Sequence, residues 1–144
     1  MKKRLLIIED CKMMQRFLKS YLKKEYDVVL AETQLIAHNL LSTELSFDAV
    51  IVDINLPDGS GINFIKQFQN TIYRATPIIA MSGTKDQNVR LDALEIGAAD
   101  FIVKPFIPKE LAIRIKKSIG TSKQENSITK KELFPNVRTL LFAN

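Results

Sequence analysis

Five short runs of Ile, Val, Leu and Ala break the polar background of the chain: RLLIIE from Arg4, DVVLAE from Asp27, DAVIVD from Asp48, PIIAMS from Pro77 and DFIVK from Asp100. Four of them, all but the second, are almost uninterrupted in apolar residues, the pattern of parallel strands covered on both faces. Between and after the runs the apolar residues recur at helical spacing: Met14, Phe17, Leu18, Tyr21 and Leu22; Ile36, Leu40 and Leu41; Ile62, Ile65 and Phe68; Val89, Ala93 and Leu94; Leu111, Ile115 and Ile119. Asp86 is placed to cap the fourth helix and Gly97 to end it. Five strands alternating with five helices predict an α/β fold, a doubly wound five-stranded parallel sheet in a three-layer sandwich, and right-handed crossovers fix much of its topology.

The character of the chain changes near its end. Residues 1–119 read as one domain and residues 120–144 as a polar linker, TSKQENS, followed by a short tail. Thr129 and Glu132 have capping-box spacing, and Pro135 can open a last short helix bearing Val137, Leu140 and Leu141. With 144 residues there is room for one domain of this kind and not for a second. No stretch approaches the roughly 20 apolar residues of a membrane span, and the expected location is the cytoplasm. Cys11 has no second cysteine to pair with and reads as a small, partly buried thiol. The net charge of +5 is spread along the chain, which gives no dense footprint for direct nucleic-acid binding.

The polar residues that interrupt the apolar runs fall at one place. In open α/β sheets ligands bind at the carboxyl ends of the strands, and here those ends hold Glu9 and Asp10, Asp53, Ser82 and Lys104. Acids on neighbouring strands repel, which a divalent cation relieves. All-oxygen donors favour a hard cation over zinc, and Mg2+ takes one or two carboxylates while keeping room for a phosphoryl group. Phosphoryl transfer then gives each residue a role. Asp53 is the nucleophile, Lys104 and Ser82 meet the phosphoryl oxygens, and the turn INLPDGSG offers the backbone carbonyl of Asn55 as a further metal ligand.

Taken together, the acid pair Glu9 and Asp10, the run IVDINLPDGSG, MSG at Ser82 and FIVKP resemble the receiver domains of two-component response regulators over Arg4 to about Ile119. The resemblance implies a flavodoxin-like strand order 2-1-3-4-5. It implies direct Mg2+ binding by Asp10 and Asp53 with Glu9 acting through water, and phosphoryl acceptance on Asp53 from a sensor histidine kinase or histidine phosphotransfer protein. It also implies a switch in which Ser82 is coupled to Phe101, a cis bond before Pro105, a separate output protein, and a homodimer as one output of phosphorylation. Such a domain promotes its own phosphorylation and dephosphorylation and is not an enzyme with a separate substrate. The sequence departs from the family's pattern at Gly83, where alanine is usual, and at Cys11 after the acid pair.

Lys12, Arg16, Lys19 and Lys23 put four positive charges on one face of the first helix, suited to an acidic kinase or phosphotransfer partner. His38 reads as an exposed helix residue. Three alternatives compete with this reading. A hydrolase of the haloacid-dehalogenase type needs a second acid two residues after its nucleophile, where this chain has Asn55. A pseudo-receiver tends to lose the nucleophile or the metal acids, which are kept here. A transcription factor truncated after its receiver stays open as the third alternative, although the 25 residues after Ile119 are far fewer than a DNA-binding output domain needs, so direct DNA binding by this stretch of chain is not expected.

Overall fold

The computed structural model describes residues 1–131. The main sheet consists of β1 (Lys3–Ile8), β2 (Tyr26–Ala31), β3 (Ala49–Asp53), β4 (Ile78–Ser82) and β5 (Asp100–Val103). Its pairs are parallel and the spatial order is 2-1-3-4-5, as expected. The helices are α1 (Lys12–Leu22), α2 (Gln34–Leu41), α3 (Gly61–Phe68), α4 (Gln87–Glu95) and α5 (Pro108–Lys131).

Strand side chains alternate between the two faces, and the core divides accordingly into two layers. Leu6, Ile8, Val50, Val52, Ile78, Ala80 and Phe101 pack with Ala37 and Leu41 of α2, Phe64, Ile65 and Phe68 of α3, and Ala93 of α4. Leu5, Ile7, Ala49, Ile51, Ile79, Met81 and Ile102 pack with Leu18 and Leu22 of α1 and with Leu111, Ile115 and Ile119 of α5. Every residue of β3 and β4 is buried, which explains their unbroken apolar sequences.

Several local expectations are corrected. Phe17 and Tyr21 of α1 and Ile36 of α2 are exposed, because a helix against a sheet buries a narrow stripe and Leu18, Leu22 and Ala37 occupy it. Cys11 precedes α1 and is exposed rather than partly buried. His38 is half-buried, its ring 4.9 Å from that of Phe64. Asp86 does cap α4, accepting from the Asn88 N–H, and Gly97 follows that helix with φ +127.

The segment expected to begin a linker at Gly120 is instead helical, since α5 continues to Lys131. Lys, Gln and Glu are good helix formers, and one glycine costs a helix only ~1 kcal/mol. The short helix expected from Pro135 lies outside the described residues.

Candidate functional site

The two strand faces deliver different halves of the site. Extending the alternation Leu5, Ile7 on β1 brings Glu9 to the same face as Asp53, which follows Ala49 and Ile51 on β3. Lys104 follows Ile102 beyond β5 on that face. The ladders carry on past the strand ends, with Glu9 N–H donating to Ala31 O at 2.9 Å and Lys104 N–H to Ser82 O at 2.7 Å. All three side chains therefore meet at the carboxyl end of the sheet. Lys104 Nζ lies 2.7 Å from Asp53 Oδ2 and 3.0 and 3.1 Å from the two Glu9 oxygens.

Glu9 is 1% exposed and Asp53 5%, while Asp10 at the rim is exposed. Glu9, Asp10 and Asp53 each offer an oxygen within 4.8 Å of the others. An all-carboxylate set with one member open to solvent fits a hard, partly hydrated cation such as Mg2+.

Two buried acids share one ammonium, and their acidities diverge. Glu9 is pushed up to about 8, first by burial and then by its hydrogen bond to Asp53, with Lys104 pulling the other way. For Asp53 burial opposes the charge, but hydrogen bonds from Glu9, Lys104 and the Asn55 N–H hold it below the ordinary carboxylate value. Asp53 is thus the member of the pair kept ionised.

Ser82 is on the opposite face of β4, 1% exposed, its Oγ accepting from the Thr84 N–H at 3.1 Å. Phe101 pairs with Ala80, two residues before Ser82 on the same face, and is buried. With Val103, Thr84 and Arg90 it borders a cavity of about 260 Å³ under the loop that follows Ser82. The Lys104–Pro105 bond is cis, as the resemblance implies.

Asn55 opens a turn in which Asn55 pairs with Ser60 and Leu56 with Gly59. Its N–H donates to Asp53 Oδ1 at 2.9 Å, so the turn begins against that carboxylate. Gly61 closes it, and a Cβ there would sit 2.3 Å from Asp53 O, a contact that no side chain tolerates.

Two buried glutamines beside the site carry no clear mark in the sequence. Gln15 is buried on α1 and its Nε2 donates to the Glu9 carbonyl. Gln34 opens α2, buried, with Nε2 3.1 Å from Ser60 O. Each stands where a helix meets the site, and the only signal in sequence is a glutamine beside an apolar helix face, which ordinarily reads as solvated.

A doubly wound sheet with paired acids, an aspartate and a lysine at its carboxyl edge defines a phosphoacceptor-type α/β domain. Comparison with known proteins fixes the family. The response regulator receiver domain model matches residues 5–116, and the chain belongs to that family. The transcriptional regulatory protein ResD of Bacillus subtilis is 32% identical over 124 residues, which is 84% of this chain and 50% of ResD. The chain spans about half the length of the curated relatives it matches.

Among solved structures, the non-phosphorylated HemR receiver domain of Leptospira biflexa is 34% identical with a TM-score of 0.74, over 82% of this chain and 94% of that one. The receiver domain of the sensor histidine kinase PA1611 from Pseudomonas aeruginosa, with a magnesium ion coordinated in its active-site cleft, is 26% identical. Its TM-score is 0.75, over 83% of this chain and 99% of that one.

Proposed function

We propose that this receiver domain is a cytoplasmic phosphorelay switch that accepts a phosphoryl group on Asp53 from the phosphohistidine of a sensor histidine kinase or histidine phosphotransfer protein. The observation that carries the reading is the buried Asp53 held 2.7 Å from Lys104 beside Glu9 and Asp10. An Asp53 carboxylate oxygen attacks phosphorus in line, the P–N bond of the donor breaks, and the imidazole leaves with the bonding electrons. Asp10, Asp53 and the Asn55 carbonyl, with Glu9 through water, would hold Mg2+. The ion would supply positive charge for the phosphoryl oxygens.

Lys104 neutralises a second oxygen once the group is in place, and Ser82, whose hydroxyl proton is free to donate, meets a third. Drawing Ser82 toward the phosphoryl group displaces the Thr84 loop above Phe101, and that aromatic and the face of α4, β5 and α5 pass the change to an output protein or a second copy. The exposed Lys12, Arg16, Lys19 and Lys23 form the side presented to an acidic donor. Lys12 already pairs with Glu32, so its charge is partly engaged.

The donor class is tested by incubating the protein with a radiolabelled phosphohistidine domain. Transfer of label to wild type and not to Asp53→Asn is expected. Label released as inorganic phosphate with turnover of p-nitrophenyl phosphate would instead favour a hydrolase.

A further inference from the structure

The turn that carries Asn55 is fastened to the start of α2 at two points. Asp58, at its tip, accepts hydrogen bonds from the first two N–H groups of α2, Gln34 N–H to Oδ1 at 3.0 Å and Leu35 N–H to Oδ2 at 3.1 Å. Those N–H groups have no partner inside the helix, and the helix end favours a negative charge. In return the Gln34 side chain reaches across the turn to Ser60 O at 3.1 Å. One residue of α2 thereby holds both the tip and the base of the turn. Gly59 lies between them with φ +142, a backbone conformation that favours glycine, and a Cβ there would come within 3.0 Å of Gln34 Nε2 and press on the crossing amide. The other end of the turn is tied to Asp53 through the Asn55 N–H.

We propose that Gln34 and Asp58 are positioning residues for the cation site: their reciprocal hydrogen bonds clasp the turn to α2 and hold the Asn55 carbonyl in place beside Asp53. The proposal rests on the reading of Asn55 as a metal ligand. A plain helix cap would account for Asp58 alone. It does not account for the return bond from a buried Gln34 to the far side of the same turn.

Thr33 supplies the control, because its Oγ1 caps the same helix by accepting from Ile36 N–H at 3.1 Å and makes no hydrogen bond to the turn. Mg2+ affinity is measured by calorimetry on the unphosphorylated protein, alongside urea unfolding, for wild type, Asp10→Asn, Thr33→Ala, Gln34→Ala, Asp58→Ala and Asp58→Asn. Asp58→Ala and Gln34→Ala are expected to weaken Mg2+ binding about tenfold, the size usual for residues that orient a ligand. Asp58→Asn, which keeps one acceptor oxygen, should fall between, and Thr33→Ala should lose stability without losing affinity.

Binding abolished by Asp10→Asn but unmoved by Asp58→Ala and Gln34→Ala would overturn the clasp alone. The same holds if affinity fell with stability in Thr33→Ala as much as in Asp58→Ala. Wild type that binds no Mg2+, or binds it equally after Asp10→Asn, would overturn the metal reading and the clasp with it.

Discussion

Glu9, Asp53 and Lys104 set two acids against one base in a space with little water. The consequence is a pH dependence whose sign follows from Glu9. Its folded pKa, raised from 4.5 to about 8, means that the folded protein keeps a proton the unfolded chain has lost. The stability this gives is complete below about 4.5 and is lost as pH climbs through about 8. Metal-free protein should therefore show a urea midpoint that falls between those limits, and Glu9→Gln should flatten the fall. An unchanged slope in Glu9→Gln would place the titration elsewhere. The site residues were legible because each is a polar break at the end of an apolar run, where packing has no use for it. Gln15 and Gln34 were not, because a glutamine on a helix shows its role only when the helix is docked. Phe101 could be named from sequence only through the family resemblance; the sheet then places it beside Ala80 on the same face as Ser82.

The strands appeared within a residue of the apolar runs and the helices over the segments with helical spacing, since the alternation of apolar runs and helical faces is strong along this chain. Which helix residues face the core was less legible. Phe17 and Tyr21 match helical spacing as well as Leu18 and Leu22 do, and only the sheet's position selects between them. The end of α5 was missed because composition separates polar helix from polar linker poorly. A substitution at Gly120 tests that correction: a Cβ there meets nothing within 4 Å, so Gly120→Ala relieves the entropic cost of glycine without a clash. It should stabilise the protein by about 0.5–1 kcal/mol in urea unfolding. No gain would mean that the chain is not helical at that point.

Two apolar layers, one on each face of a single sheet, make the molecule one cooperative unit. Phe64 is at the centre of the layer under α2 and α3, fully buried against Phe68. Phe64→Ala should cost about 3–5 kcal/mol in chemical denaturation, with the loss shared by the whole domain; a smaller, local loss would show that the layers unfold separately. Strand order and sandwich architecture followed from the βα alternation together with the family resemblance, whereas the clasp between α2 and the turn after Asp53 needed coordinates, because its partners lie 24 and 26 residues apart. The same sheet that supplies stability presents Glu9, Asp10, Asp53, Ser82 and Lys104 at one edge, the set proposed to make Asp53 a phosphoacceptor. The direct test is the intact mass of wild type and Asp53→Asn after incubation with acetyl phosphate, with and without Mg2+. One added phosphoryl group on wild type alone, and only with Mg2+, is the predicted result. A wild-type mass unchanged with Mg2+ present, for both acetyl phosphate and a phosphohistidine donor, would contradict it.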